Sequence, residues 1–219
     1  MKVKYYNSSF KLDTLPLDAI HVIDDWCSPG LWQRFNNALS VTDRWSFDND
    51  VTYADGETTE ITWIMRLFKK WMKPAGNYVE FSRPVIEQMC SDFGVEFEQF
   101  DFAGINGQTQ GLQGTIHVDS FRAKNISFLW HCNTEWQSEW GGSFRVYQKD
   151  TLDKGHRGFS QELVDNYQIA EIKYKPNRLI IIDGSYPHSA DAPTPESKYA
   201  FRKTFVARGN VAKLVDKNQ

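Results

Sequence analysis

The sequence predicts an α+β fold whose core is a double-stranded β-helix, or jelly roll, with N-terminal helices packed on one of its sheets. Three observations carry this. Up to residue 94, apolar residues recur mainly at helical spacing. From residue 95 the pattern changes to alternating or wholly apolar runs divided by Gly, Pro, Asn and Asp, which reads as about seven short strands. Aromatic residues make up 15% of the chain, with eight Trp, nine Tyr and fifteen Phe, a composition that suits broad pleated surfaces. Helices followed by many short antiparallel strands give an α+β order with a two-sheet core. The 219 residues suffice for one domain, 1–219, with mainly helical support over 1–94 and the jelly-roll core over 95–207.

In chain order, residues 1–18 read as a polar arm and Ala19-Ile20-His21-Val22-Ile23 as a strand. Ser28 is an N-cap with Pro29 at the first helical position, and Leu31, Trp32, Phe35 and Leu39 form one apolar stripe. Residues 43–59 are polar and turn-rich, a loop. Ile61, Ile64, Met65, Phe68 and Met72 then predict a helix over 59–72, stopped by Pro74 and Gly76. A third helix opens at Ser82-Arg83-Pro84 and ends at Gly94. Val95 to Phe102 alternates as a strand, and 104–114 is a Gly/Gln-rich loop leading into the strand Thr115-Ile116-His117-Val118-Asp119. Strands follow at 125–130, 143–147, 170–174, 178–182 and 198–207. A Trp-rich turn lies at 133–140, and a polar excursion at 149–168 holds a short helix near 159–167.

Bulk properties exclude several function classes. The net charge of −3 and a pI near 6.0 argue against a polyanion-binding protein, so nucleic acid is a disfavoured partner. Cys27, Cys90 and Cys132 are few, odd in number and without a CxxC spacing, so neither a disulfide framework nor a structural zinc site is expected. No apolar h-region or bilayer-length run is present; the longest run, Leu179-Ile180-Ile181-Ile182, is strand-sized. A cytoplasmic protein with no membrane partner is expected.

The chemistry concentrates in three places. On a strand, residues i and i+2 share a face, so His117 and Asp119 project together. His188 follows the most apolar strand, after Asp183-Gly184-Ser185-Tyr186-Pro187, where a side chain leaves a rigid strand at the mouth of a barrel. Two imidazoles and one carboxylate form the facial triad of non-heme Fe(II), which leaves metal positions open for substrates. A His-x-Asp alone is a weak signal, and an ordinary strand pair produces it. The third element is basic. Lys198 and Arg202, four apart with Ala200 between them, fall on one face of the last predicted strand. A basic side chain beside the triad is what a dicarboxylate needs, and Arg presents a bidentate fork.

These motifs stand in an order that resembles the Fe(II)/2-oxoglutarate-dependent dioxygenases, and among them the prolyl 4-hydroxylase-like group, which includes phage-encoded members. The matching pattern is His117-x-Asp119, then Trp140-Gly141-Gly142-Ser143-Phe144, then Arg178 to Gly184 into Pro187-His188, then a basic residue on the last strand. The entry Ile20-His21-Val22-Ile23-Asp24-Asp25-Trp26-Cys27-Ser28-Pro29 also looks like that group's strand-to-helix start. Two departures stand out. Ser143 replaces the acidic residue or Thr more usual after Gly-Gly. The basic residue is either Lys198, by spacing from His188, or Arg202, by the Arg-x-Thr pattern of Arg202-Lys203-Thr204; Arg202 is preferred.

The resemblance implies Fe(II) held by His117, Asp119 and His188, with 2-oxoglutarate as co-substrate, O2 as oxidant and Arg202 or Lys198 on the far carboxylate. It implies oxidative decarboxylation of 2-oxoglutarate coupled to hydroxylation of a prolyl or other C–H. The carboxylate at 119 favours hydroxylation, since halogenases of the superfamily carry a small non-ligating residue there. Asn106, Gln108 and Trp140 are the candidate substrate residues. The substrate, a protein, peptide or small molecule, and the oligomeric state are not legible; for a phage-encoded member the compartment would be the host cytoplasm. The alternative is a cupin-like jelly-roll binding module, non-catalytic or holding another metal.

Overall fold

Two β-sheets face each other across an apolar interior in the computed structural model, which describes residues 2–7, 18–49, 62–69, 81–122, 124–149 and 165–214. The strands are β1 (Lys2–Tyr6), β2 (Ala19–Ile23), β3 (Ser46–Asn49), β4 (Thr62–Lys69), β5 (Val95–Gln108), β6 (Asn125–His131), β7 (Phe144–Tyr147), β8 (Gln168–Ile172), β9 (Leu179–Asp183), β10 (His188–Ala190) and β11 (Arg202–Leu214). The helices are α1 (Pro29–Ser40) and α2 (Arg83–Phe93). The large sheet runs β1-β2-β9-β6-β11-β5-β4-β3 and the small one β10-β7-β8. Pairing is antiparallel throughout, apart from the parallel β1–β2 pair.

The large sheet is covered on both faces. Its outer face packs Met65, Ala103, Ile105, Phe128, Trp130, Ile181 and Phe205 against Leu31, Phe35 and Leu39 of α1 and Val85, Met89 and Phe93 of α2. Phe35 meets Trp130, Phe205 and Phe81 edge-on, at ring separations of 4.9, 5.7 and 5.3 Å. Its inner face packs Ile64, Phe102, Leu129, Ile180, Ile182 and Val206 against Phe144, Val146, Ala170 and Ile172 of the small sheet. The expected fold class, a jelly roll with helices on one sheet, is therefore the observed one. Both predicted helices at 28–40 and 82–94 form, the second closing on Gly94 in the left-handed region.

Four expected elements differ. The helix predicted over 59–72 is the strand β4 at Thr62–Lys69; residues 59–61 and 70–76, with its stop signals, lie outside the described residues. Ile64 faces the inner core and Met65 the outer one. A strand buried on both faces loses its period of two, and its apolar spacing then imitates a helix. Among the described residues of 1–94, β1 to β4 stand beside two helices, so this part is mixed rather than mainly helical. Secondly, β5 runs through Gln108 instead of stopping at 102, so Asn106 and Gln108 lie on a strand. Thirdly, the last strand begins at Arg202, not at 198, and a 3-10 turn occupies Pro195–Ser197. Fourthly, 115–119 is an extended arm bound to β10 through one bridge, His117 to His188, rather than a full strand. The short helix expected near 159–167 falls mostly outside the described residues. No helix among the described residues is long and apolar enough to cross a membrane.

Candidate metal centre and co-substrate pocket

The arm at 114–120 is fastened along β10 by backbone hydrogen bonds: Gly114 N–H to Ala190 O, His117 and His188 to each other in both directions, and Asp119 N–H to Gly184 O. Gln113 adds a clasp, its Oε1 accepting from Ala192 N–H at 3.0 Å. These bonds bring His117 and Asp119 to His188. The ligand atoms of the three lie within 4.8 Å of one another. His117 Nε2 stands 3.7 Å from Asp119 Oδ1, and His188 Nε2 stands 3.5 Å from Asp119 Oδ2. One ion with bonds of about 2.0–2.2 Å can reach all three.

The protons are placed for metal binding. His117 Nδ1–H donates to Thr115 O at 2.8 Å, and His188 Nδ1–H donates to Tyr186 O at the same distance. Each Nε2 therefore keeps its lone pair. Burial pushes the His188 imidazole down to about 3, helped by His117 beside it. Burial and the Arg208 cation push His117 down to about 4. The His188 and Asp119 side chains are 4% and 3% exposed, whereas His117 keeps 34% open. The open edge of the centre is thus on the His117 side. Ser127 Oγ donates to Asp119 Oδ2 at 2.5 Å, and Arg208 Nη1 pairs with Oδ1. The Arg208 guanidinium also lies 5.1 Å from the centre of the Phe102 ring.

Farther along the inner face of β11 lies Arg202, 1% exposed. Its Nε donates to Gly142 O at 2.9 Å and its Nη1 to Gln108 Oε1 at 2.7 Å, and it stands 4.8 Å over the Tyr174 ring. Among the described residues no carboxylate forms an ion pair with it; Asp191 is engaged by Arg145 Nε at 2.7 Å. A buried cation without a counter-charge is costly. Next to it, Asn106, Thr204 and His131 stand opposite one another in the register of β5, β11 and β6. Asn106 Oδ1, Thr204 Oγ1 and His131 Nε2 are buried with no partner among the described residues. A fixed guanidinium and unsatisfied polar atoms at the closed end suit a dicarboxylate whose other end meets a metal.

The Trp140-Gly141-Gly142 motif serves this pocket through its backbone. Gly142 has φ +76°, and a Cβ there would lie 2.9 Å from Arg202 Cδ. Trp136 Nε1–H donates to Gly141 O at 3.0 Å. Of the residues the sequence singled out, His117, Asp119 and His188 converge and Arg202 faces the same interior. Lys198 does not: it is exposed, at the end of the 3-10 turn with φ +52°, so its expected place on the strand face beside Arg202 is corrected. Gln108, a candidate substrate residue, anchors Arg202. Trp140 packs edge-on against Trp136 at 5.3 Å. Arg208, Ser127 and Tyr174 escaped the sequence reading, and His131 was read there only as a non-ligand. Arg208 lies six residues past Arg202, an even spacing that puts both on one strand face, and that was its only signal.

Comparison with known proteins gives the same picture. The sequence model of the 2OG-Fe(II) oxygenase superfamily matches residues 103–206. A search of curated proteins finds no match. Among solved structures, the chain is similar to a prolyl hydroxylase from Trichoplax adhaerens in complex with a hypoxia inducible factor oxygen degradation domain peptide fragment. That similarity has a TM-score of 0.54 at 13% identity, over 86% of this chain and 82% of that one. It is also similar to a Pseudomonas putida prolyl-4-hydroxylase, with a TM-score of 0.52 at 13% identity, over 86% of this chain and 90% of that one. Residues 103–206 thus match the 2OG-Fe(II) oxygenase superfamily, and the fold is like that of the prolyl hydroxylases.

Proposed function

We propose that His117, Asp119 and His188 hold the Fe(II), that Arg202 and the Thr204 hydroxyl take the far carboxylate of 2-oxoglutarate, and that the substrate is a protein or peptide C–H presented on the His117 side. The single observation that carries this is Arg202, a buried guanidinium without a carboxylate partner among the described residues, facing the same interior as a His-Asp-His cluster. Bound iron supplies, with 2-oxoglutarate and O2, the oxidative decarboxylation that is coupled to hydroxylation.

The protein's part is positioning. Thr115 and Tyr186 carbonyls fix both imidazole tautomers, so the centre takes a metal without releasing a proton from histidine. Gly142 and Gln108 hold the Arg202 fork in one plane, which fixes the reach and direction of the dicarboxylate. The apolar wall of Phe144, Leu129 and Val206 keeps water from the interior. A peptide acceptor is suggested by the similarity to a prolyl hydroxylase in complex with a peptide.

Anaerobic Fe(II) and 2-oxoglutarate added to the whole chain should give a weak visible charge-transfer band. His117→Ala should abolish it, and Arg202→Met should demand a far higher 2-oxoglutarate concentration. No band in the wild type, or the same band in His117→Ala, would falsify the assignment.

A further inference from the structure

The Asp119 carboxylate divides the centre into a closed side and an open one. Its Oδ2 faces the closed side, 3.5 Å from Nε2 of the buried His188, and accepts from the buried Ser127 hydroxyl. Its Oδ1 faces the other way, 3.7 Å from Nε2 of His117, whose side chain is 34% exposed. Oδ1 is also the oxygen that Arg208 Nη1 holds. Arg208 therefore stands at the open edge of the centre, and its own side chain is 28% exposed.

Holding Asp119 uses one N–H of the Arg208 fork. The other N–H groups have no acceptor among the described residues. The guanidinium packs over the Phe102 ring, 5.1 Å from its centre, so it is fixed against the inner wall. Asp101 is the one acid whose charge favours it, yet the two form no ion pair, and Asp101 accepts from Gln99 Nε2 instead. The same edge carries two more cations. Asp119 and Ser120 are tied to Gly184 O, and the chain then presents Arg122 and Lys124, both exposed. Lys124 O accepts from Val211 N–H at 3.0 Å, which sets Lys124 beside β11 just past Arg208.

Charge decides what such an edge recognises. Both histidines are neutral, so Asp119 is the single anion shared by a divalent ion and the Arg208 guanidinium. Counting the dianionic co-substrate and Arg202 as well, the loaded centre still keeps one positive charge, and it lies on the substrate side. An unspent fork with surplus charge is complementary to a carboxylate.

We propose that Arg208 is a specificity-determining residue, whose free N–H groups bind a carboxylate of the substrate, so that the enzyme selects acceptors in acidic peptide segments. Arg122 and Lys124 extend the basic rim. The proposal rests on the peptide acceptor and the open His117 side proposed above, and it adds the charge of the peptide.

The test uses two synthetic peptide pools and the full chain with Fe(II), 2-oxoglutarate and O2. In one pool every acceptor residue type is flanked on both sides by Glu; in its twin, Gln replaces Glu. Product is read by mass spectrometry as the gain of one oxygen. We expect the wild type to favour the Glu pool roughly 10–100-fold, the range for a hydrogen bond to a charged group. The preference should shrink with added salt. Arg208→Gln should remove it, and Arg208→Lys should keep part of it. The ratio between pools is the readout, because damage to the Asp119 ligand lowers both pools alike. Equal turnover of the pools by the wild type overturns the proposal, and so does an unchanged ratio in Arg208→Gln. No product from either pool, with the charge-transfer band present, overturns the peptide acceptor itself and this proposal with it. Side-chain 15N NMR of the Zn(II)-loaded wild type needs no active variant. The Arg208 Nε–H resonance, assigned by its loss in Arg208→Lys, should shift with the Glu pool and not with the Gln pool; no shift, or the same shift with both, overturns the role of Arg208 alone.

Discussion

Thr115 O and Tyr186 O each take the Nδ1 hydrogen of the histidine two residues later, and this small local choice prepares both rings as ligands. It also sets a pH window. In the unfolded chain these imidazoles have an ordinary value of 6.5, whereas in the fold burial pushes them to about 4 and about 3. Between 6.5 and about 4 the unfolded state binds more protons, so stability of the metal-free protein falls as pH falls through that window. Metal capture should stay flat down to about pH 5 and be lost as the pH passes through about 4. Urea midpoints at about pH 7 and about pH 5, for wild type and His188→Gln, check the first point: part of the acid loss should vanish in the variant. At this scale the triad was legible, because His-x-Asp on an extended segment and His188 after an apolar strand are local patterns. The buried partners of those residues were not. Ser127 and Arg208 reach Asp119 from sequence distances of 8 and 89, and nothing in a linear pattern encodes that meeting.

Strand pairing accounts for most differences between expected and observed elements. β4 was masked by burial on both faces, since Ile64 and Met65 are 3% and 0% exposed on opposite sides. β5 continues through Gly104 and Gly107, residues that read as loop. Pairing with both β4 and β11 outweighs their weak strand propensity. This extension carries Gln108 opposite Arg202. The start of β11 at Arg202 likewise decides between the two basic candidates, because Lys198 is left on an exposed turn. The Trp140-Gly141-Gly142 segment yields an element-scale prediction. Gly142→Ala forces a side chain into a left-handed φ of +76° and against Arg202. We expect 2-oxoglutarate affinity to fall at least about 10-fold, through displacement of the guanidinium. Fe(II) affinity, measured without 2-oxoglutarate, should be retained. Equal loss of both would mean that the motif supports the whole centre rather than the Arg202 end.

The whole molecule separates support from chemistry by the two faces of one sheet. Helices α1 and α2 bury the outer face, and Arg202, Thr204, Arg208, Ser127 and His131 line the inner one, facing the interior that the His-Asp-His cluster shares. Phe35, 1% exposed, joins α1 to Trp130 and Phe205 of the sheet. Phe35→Ala should destabilise the fold by about 3–5 kcal/mol, read from urea unfolding. The folded fraction should keep its 2-oxoglutarate affinity, measured well below the melting temperature, because Phe35 touches none of the inner-face residues named above. The sequence by itself determined the fold class and the two helices with their Pro starts, and it singled out the His-Asp-His cluster, since each rests on short local patterns of neighbouring residues. Only the tertiary structure decided that 62–69 is a strand and that Arg202, not Lys198, faces the interior. It alone brought His131, Gln108 and Arg208 to one inner surface. The physical reason is the sheet order β6-β11-β5. It places residues some 70 to 95 positions apart side by side, and their burial and unmatched hydrogen bonds exist only after that pairing.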